Sequence, residues 1–246
     1  MMSRTHSHLF LSALVALGLQ GTACATISYV LVTNDADSNI SSSNTYTHAI
    51  DFSNSTSGAA TVNGVAFTGA TGNTGNFTRT VANGGATNNP GEGIVTTSGG
   101  LRDLMQGFLF NNSPATDGSG LQTYTLTGLS IGVTYDLRIY THLWTNGTPP
   151  RPNTLIFDVG GANDSTGVID QDNSTTVGMS NSDDSYYINY RYTATSTSLV
   201  WTAANQSGSN ASFHLYGLTN QVVPEPGTCM LGALGSLLLL RRSRKD

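Results

Sequence analysis

Apolar and polar positions alternate along most of this chain in short runs separated by Gly, Asn, Asp and Ser, a period of two that predicts half-buried β-strands. Ile27–Val32 is a first strand. In Thr61-Val62-Asn63-Gly64-Val65-Ala66-Phe67, Asn-Gly stands between two β-forming runs, a strong hairpin signal. Gln122–Leu129 and Val133–Leu143 read as a second hairpin pair, with Tyr135, Leu137 and Ile139 alternating against Asp136, Arg138 and Tyr140. Thr154–Val159, Tyr186–Thr193, Leu199–Thr202 and Ser212–Leu218 bring the expectation to at least eight strands. Leu101, Leu104, Met105 and Phe108 fall at helical spacing and predict a turn or two of helix. No internal repeat of solenoid or propeller length is visible. The pattern predicts an all-β fold, an antiparallel two-sheet sandwich of jelly-roll type, with signal and sorting helices at the two ends.

The ends break this rhythm. Arg4, His6 and His8 precede an apolar run from Leu9 to Leu19, and Ala23-Cys24-Ala25 is an A-x-A cleavage site. Residues 1–25 therefore read as a secretory signal peptide cut after Ala25, with Ala23 the other small residue that the peptidase requires. At the other end Val223-Pro224-Glu225-Pro226 stops any strand, because proline lacks an N–H and restricts the residue before it. An apolar run to Leu240 follows, then Arg241, Arg242, Arg244 and Lys245. Clustered Lys and Arg are retained on the cytoplasmic side of a membrane, which leaves the body before Pro224 on the far side.

This tripartite tail resembles the PEP-CTERM sorting signal of Gram-negative bacteria that make extracellular polysaccharide: Pro224, Glu225 and Pro226 match its signature, and the hydrophobic segment and basic tail follow in order. The resemblance implies an exosortase, a membrane-embedded cysteine protease, as processing partner near Pro224, and release or transfer to the cell surface or extracellular matrix. The stretch Thr228–Leu240 holds 13 residues, short of the roughly 20 that span a bilayer core, so anchoring in the inner membrane is expected to be transient. The expected organisation is signal peptide 1–25, surface domain 26–222 and sorting signal 223–246.

Processing would remove both cysteines, Cys24 and Cys229, leaving a body without disulfide or thiolate chemistry. That body has five arginines, no lysine and 13 acids, a net charge of −8. Nucleic acid and anionic membrane surfaces bind through clustered Lys and Arg, so neither is an expected partner. Neutral sugars and divalent cations remain. The segments Tyr124–Leu129 and Val133–Tyr140 also look like the strand, T-G-L turn and tyrosine of galactose-binding-like jelly rolls and fibronectin type III domains, where the tyrosine ring packs under the turn.

Candidate chemistry is sparse. Gly128-Leu129-Ser130-Ile131-Gly132 has the letters of a hydrolase elbow, but a strand follows where the chemistry needs a helix, so it reads as a hairpin loop. Asp35, Asp37 and Asn39 offer alternate oxygens, a candidate structural calcium site without the Gly and Glu of an EF-hand; the acidic run from Asp164 through Asp170 and Asp172 to Asp183 and Asp184 reads as a solvated loop of the same kind. No other cofactor is expected. His48, His142 and His214 lack zinc spacing. Tyr140, His142 and Trp144, leading into Asn146 and Arg151, have the composition of a carbohydrate-binding patch: aromatic faces for sugar C–H groups, amides and guanidinium for hydroxyls. If the shared face of those three rings is the core, that patch fails. Trp201, mid-strand, reads as core.

The expectation is a non-enzymatic surface or exopolysaccharide-matrix protein. A carbohydrate-binding module for that polysaccharide is the alternative, and a glycan-active hydrolase or lyase, resting on carboxylates such as Asp103, Asp136 and Asp158, a second one.

Overall fold

The computed structural model describes residues 25–52, 59–91, 96–144 and 150–224. The strands are β1 (Thr26–Leu31), β2 (Tyr46–Asp51), β3 (Thr61–Val62), β4 (Val65–Ala66), β5 (Thr68–Gly69), β6 (Phe77–Ala82), β7 (Ala86–Asn89), β8 (Phe108–Asn111), β9 (Leu121–Thr127), β10 (Thr134–Thr141), β11 (Pro152–Val159), β12 (Ala162–Asp170), β13 (Tyr186–Thr193), β14 (Ser198–Asn205) and β15 (Gly217–Val222). One short helix, α1 (Gly100–Leu104), precedes β8. A six-stranded sheet runs β1-β13-β10-β15-β2-β5 and a five-stranded sheet β12-β11-β14-β9-β6, with β3-β4 and β7-β8 as separate ribbons. All pairings are antiparallel except the short β2–β5 contact. The all-β sandwich expected from the pattern is what the chain adopts.

The core lies between the two large sheets. Leu137, Ile139, Ile188, Tyr190 and Leu218 face inward from one, Phe77, Tyr124, Leu126, Phe157 and Trp201 from the other. Tyr124 stacks on Trp201 at 4.0 Å between ring centroids, and Phe157 on Tyr190 at 4.2 Å. Trp201 has no exposed surface, in keeping with its expected core position. The outer face of the five-stranded sheet is rich in threonine. Thr80 lies opposite Thr123 and Thr78 opposite Thr125, and Thr123 in turn pairs with Thr202. A β-branched hydroxyl side chain suits such half-exposed positions, packing its methyl while its oxygen stays wet.

A second core covers the outer face of the six-stranded sheet. Val32, Ile40, Val62, Leu101, Leu104 and Met105 pack there against Tyr140, Tyr187 and Tyr216. The Asn63-Gly64 turn takes φ of 48° and 78°, the two positive values that a tight hairpin demands and that this pair tolerates. Helix α1 is pinned from a distance: the Asp35 carboxylate accepts from Gly100 N at 3.1 Å and Leu101 N at 2.7 Å. Gly100 must be glycine, since a Cβ there would meet Thr61 O at 2.0 Å.

Three sequence expectations are corrected. β9 and β10 are not a hairpin pair: β9 lies between β14 and β6, β10 between β13 and β15, and residues 128–133 cross from one sheet to the other. Period-two alternation marks a strand but does not choose its partner. Tyr135 packs under that crossing, its hydroxyl accepting from Ser130 N at 2.9 Å. Of the expected acidic loop, Asp164 and Asp170 lie in strand β12. The last strand starts at Gly217 rather than Ser212, because Leu215 instead bridges to Leu109 on β8.

Candidate functional site

The structure separates the five residues of the expected sugar patch. Tyr140 and His142 have no exposed surface. They lie on the outer face of β10 and at its end, and that face is closed by α1 and the β3-β4 ribbon, so both are unavailable to a glycan. The Tyr140 hydroxyl donates to Ser38 O at 2.9 Å, and burial pushes its phenol well above the usual range. The His142 ring sits between Leu143 O at 2.7 Å and Met105 O at 2.9 Å. Asn146 lies outside the described residues. Trp144 and Arg151 remain, and they do come together.

They line an open cleft of about 210 Å³ with Phe108, Phe110, His214 and a set of asparagines. Phe108 forms its floor, buried and stacked on the His214 ring at 3.8 Å between centroids, with the edge of Trp144 at 4.9 Å. Phe110 and Trp144, both half-buried, stand at the mouth and meet His214 edge-on at 5.5 and 5.6 Å. Asn89, Asn112 and Asn210 supply amides, and Asn111 and Ser212 link β8 to the 211–216 segment through a pair of hydrogen bonds at 2.8 and 3.1 Å.

The site is held from behind by the turn after β12. Asp172, wholly buried, accepts from Trp144 N at 2.7 Å and pairs with Arg151 Nε at 3.4 Å. Arg151 Nη1 donates to Ser212 O at 2.8 Å. Gln171 clamps the 211–216 segment, accepting from His214 N at 2.8 Å and donating to His214 O at 2.7 Å. Aromatic and guanidinium groups are thereby fixed relative to one another before any ligand arrives. Burial, with the charge of Arg151 and then that of His142, holds the His214 imidazole well below its ordinary value, so the ring is neutral; its Nδ1 has no hydrogen-bond partner among the described residues.

The residues of the cleft that sequence reasoning missed are Phe108, Phe110, His214 and the asparagines. Their signal was present in Phe108-Leu109-Phe110-Asn111-Asn112, an aromatic alternation running into two amides. Helical spacing drew Phe108 into the preceding helix instead.

The candidate calcium residues do not converge. Asp35 is turned toward α1, whereas the Asp37 carboxylate accepts from Thr33 N, Asn34 N and the Thr33 hydroxyl, and the amide of Asn39 faces Tyr187. These carboxylates act as backbone caps. Among the described residues no group of three or more His, Cys, Asp or Glu side chains could hold a metal ion. Asp136 is engaged by Arg191 through two contacts of 2.8 Å and by Arg138 at 3.3 Å, and it lies on the other sheet from Asp158.

At the processing sites, Ala25 packs on the main core immediately before β1. Val223 N donates to Thr134 O at 2.9 Å, and Pro224 is exposed. Ala23, Glu225, Pro226, Arg241, Arg242, Arg244 and Lys245 lie outside the described residues, and so do both expected terminal helices. Among the described residues no helix is long and apolar enough to cross a membrane.

No family model matches this sequence, and no curated protein does. Among solved structures the chain is similar to the enzymatically active domain of tailspike protein 4 of bacteriophage CBA120, at 13% identity and a TM-score of 0.35. The match covers 60% of this chain and 19% of that one, so the chain spans about a fifth of the length of that relative. Because the matched structure is an enzymatically active domain, the expectation of a non-enzymatic protein is withdrawn. So weak a likeness carries no argument for any particular activity in its place.

Proposed function

We propose that this chain is an exported cell-surface or exopolysaccharide-matrix protein whose sandwich binds carbohydrate at the Trp144 cleft. The observation that carries the reading is the composition of that cleft: half-buried aromatic rings at an open mouth, beside a fixed guanidinium and several amides. Sugar rings stack their C–H faces on such rings and offer hydroxyls to such donors and acceptors. The short strand pairings and the Asp172 anchor pre-order the site, which lowers the entropy lost on binding. Delivery rests on the two terminal signals, with an exosortase-type protease as the processing partner and a transient stay in the inner membrane.

The test is binding of the purified protein to the exopolysaccharide of its producing cell, followed by calorimetry. Trp144→Ala should abolish binding while leaving the unfolding midpoint close to that of the parent; retained binding sinks this site. Mass spectrometry of the surface-released protein should find an N-terminus at Thr26 and a C-terminus at or shortly after Pro224. An unprocessed chain in the cytosol would refute the export reading.

A further inference from the structure

Resting on the carbohydrate reading above, we infer that the sugar recognised in the cleft carries a carboxylate, as a uronic acid does, and that Arg151 receives it. Arg151 brings a positive charge to the lining, and no acidic side chain lines the cleft among the described residues. Two of its three nitrogens are committed to the protein, Nε toward Asp172 and Nη1 to Ser212 O, while Nη2 has no partner among the described residues. The guanidinium is therefore immobilised where Arg151 lines the cleft.

Charge favours an anion there. Nη2 can donate to a carboxylate oxygen, and such a charge-assisted N–H···O bond is stronger than one to a neutral hydroxyl. Asp172 pairs with the Nε side at 3.4 Å and offsets part of that charge from behind, while Nη2 remains the donor left for an incoming carboxylate. The other polar lining groups, the amides of Asn89, Asn112 and Asn210, suit the hydroxyls of the same ring. A pyranose seated against Trp144 would then present its C5 carboxylate to Arg151.

The acidic body opposes a polyanion only at long range. Its net charge of −8 is spread over the surface and is screened within ~8 Å at physiological salt, whereas the largely buried Arg151 contact is screened far less. Binding of an acidic glycan should therefore strengthen or hold steady as salt rises from low to physiological levels.

The experiment varies the ligand, so that folding of a variant is not at issue. Oligogalacturonate and oligomannuronate are titrated into the full-length protein, each beside its carboxyl-reduced counterpart in which CH₂OH replaces COO⁻. At least one acidic oligomer is expected to bind about tenfold or more tightly than its reduced form. Arg151→Gln, checked for an intact unfolding transition, should erase that preference while weak binding to the reduced form persists. Equal affinity for acidic and reduced forms overturns the carboxylate inference and leaves the carbohydrate reading standing. No binding of either form overturns the inference and, together with no binding to the native exopolysaccharide, the carbohydrate reading too.

Discussion

Replacing Asp172 by asparagine tests how the cleft is built. The side chain is completely buried and Arg151 beside it is 9% exposed, so the pair sits in a low-dielectric setting rather than on the surface. An exposed ion pair contributes about 0–1 kcal/mol. A buried one behaves differently: removing one partner strands the other charge without solvent, at a cost of about 3–5 kcal/mol. In Asp172→Asn the Arg151 guanidinium loses its carboxylate, and Trp144 N, now 2.7 Å from Asp172 Oδ1, faces a weaker acceptor or an N–H. The loss should therefore fall near 3 kcal/mol or above, read from urea unfolding midpoints of the parent and the variant. The double variant Asp172→Leu with Arg151→Met removes both charges and should recover much of that loss, because apolar side chains of similar size fill the space without desolvation. Glycan binding should not recover with it. A single-variant loss under about 1 kcal/mol would refute the buried-pair account, since that is the value for a solvated contact.

Other parts of the molecule make equally specific demands. Trp201→Ala removes a ring with no exposed surface, stacked on Tyr124, and should cost about 3–5 kcal/mol in the same unfolding assay, well above the cost of Trp144→Ala at the half-buried cleft. Gly100→Ala should cost about 1–3 kcal/mol, because the new methyl would collide with Thr61 O and push α1 off the β3-β4 ribbon; an unchanged midpoint would contradict that packing. Burial holds the imidazoles of His214 and His48 below their ordinary value. Their folded values lie under the unfolded one, so the stability they contribute is complete above about pH 6.5 and falls as pH drops through and below it, by up to about 1.4 kcal/mol per unit for each ring. Unfolding midpoints that stay flat from about pH 7 to about pH 5 would refute this assignment.

What the sequence determined by itself is local. Alternating apolar and polar residues set the strands at Tyr186–Thr193 and Thr134–Thr141, Asn63-Gly64 set a hairpin, and the ring of Trp201 was placed in the core, because strand period and turn chemistry act over a few residues. Pairing across distance was not legible. Nothing in Gln122–Leu143 says that its two strands belong to different sheets, and nothing in Asp35 says that it caps a helix 65 residues away. The same limit governed the site. Trp144 and Arg151 were readable as aromatic and cationic candidates, but Tyr140 and His142 shared that reading and proved to be core, since only the packing of α1 and the β3-β4 ribbon decides which face of the six-stranded sheet sees water. The cleft itself joins β8, the end of β10, the start of β11 and the 211–216 segment, pieces that adjoin only after the sheets form. Burial and convergence depend on which surfaces meet, and that is a property of the fold as a whole.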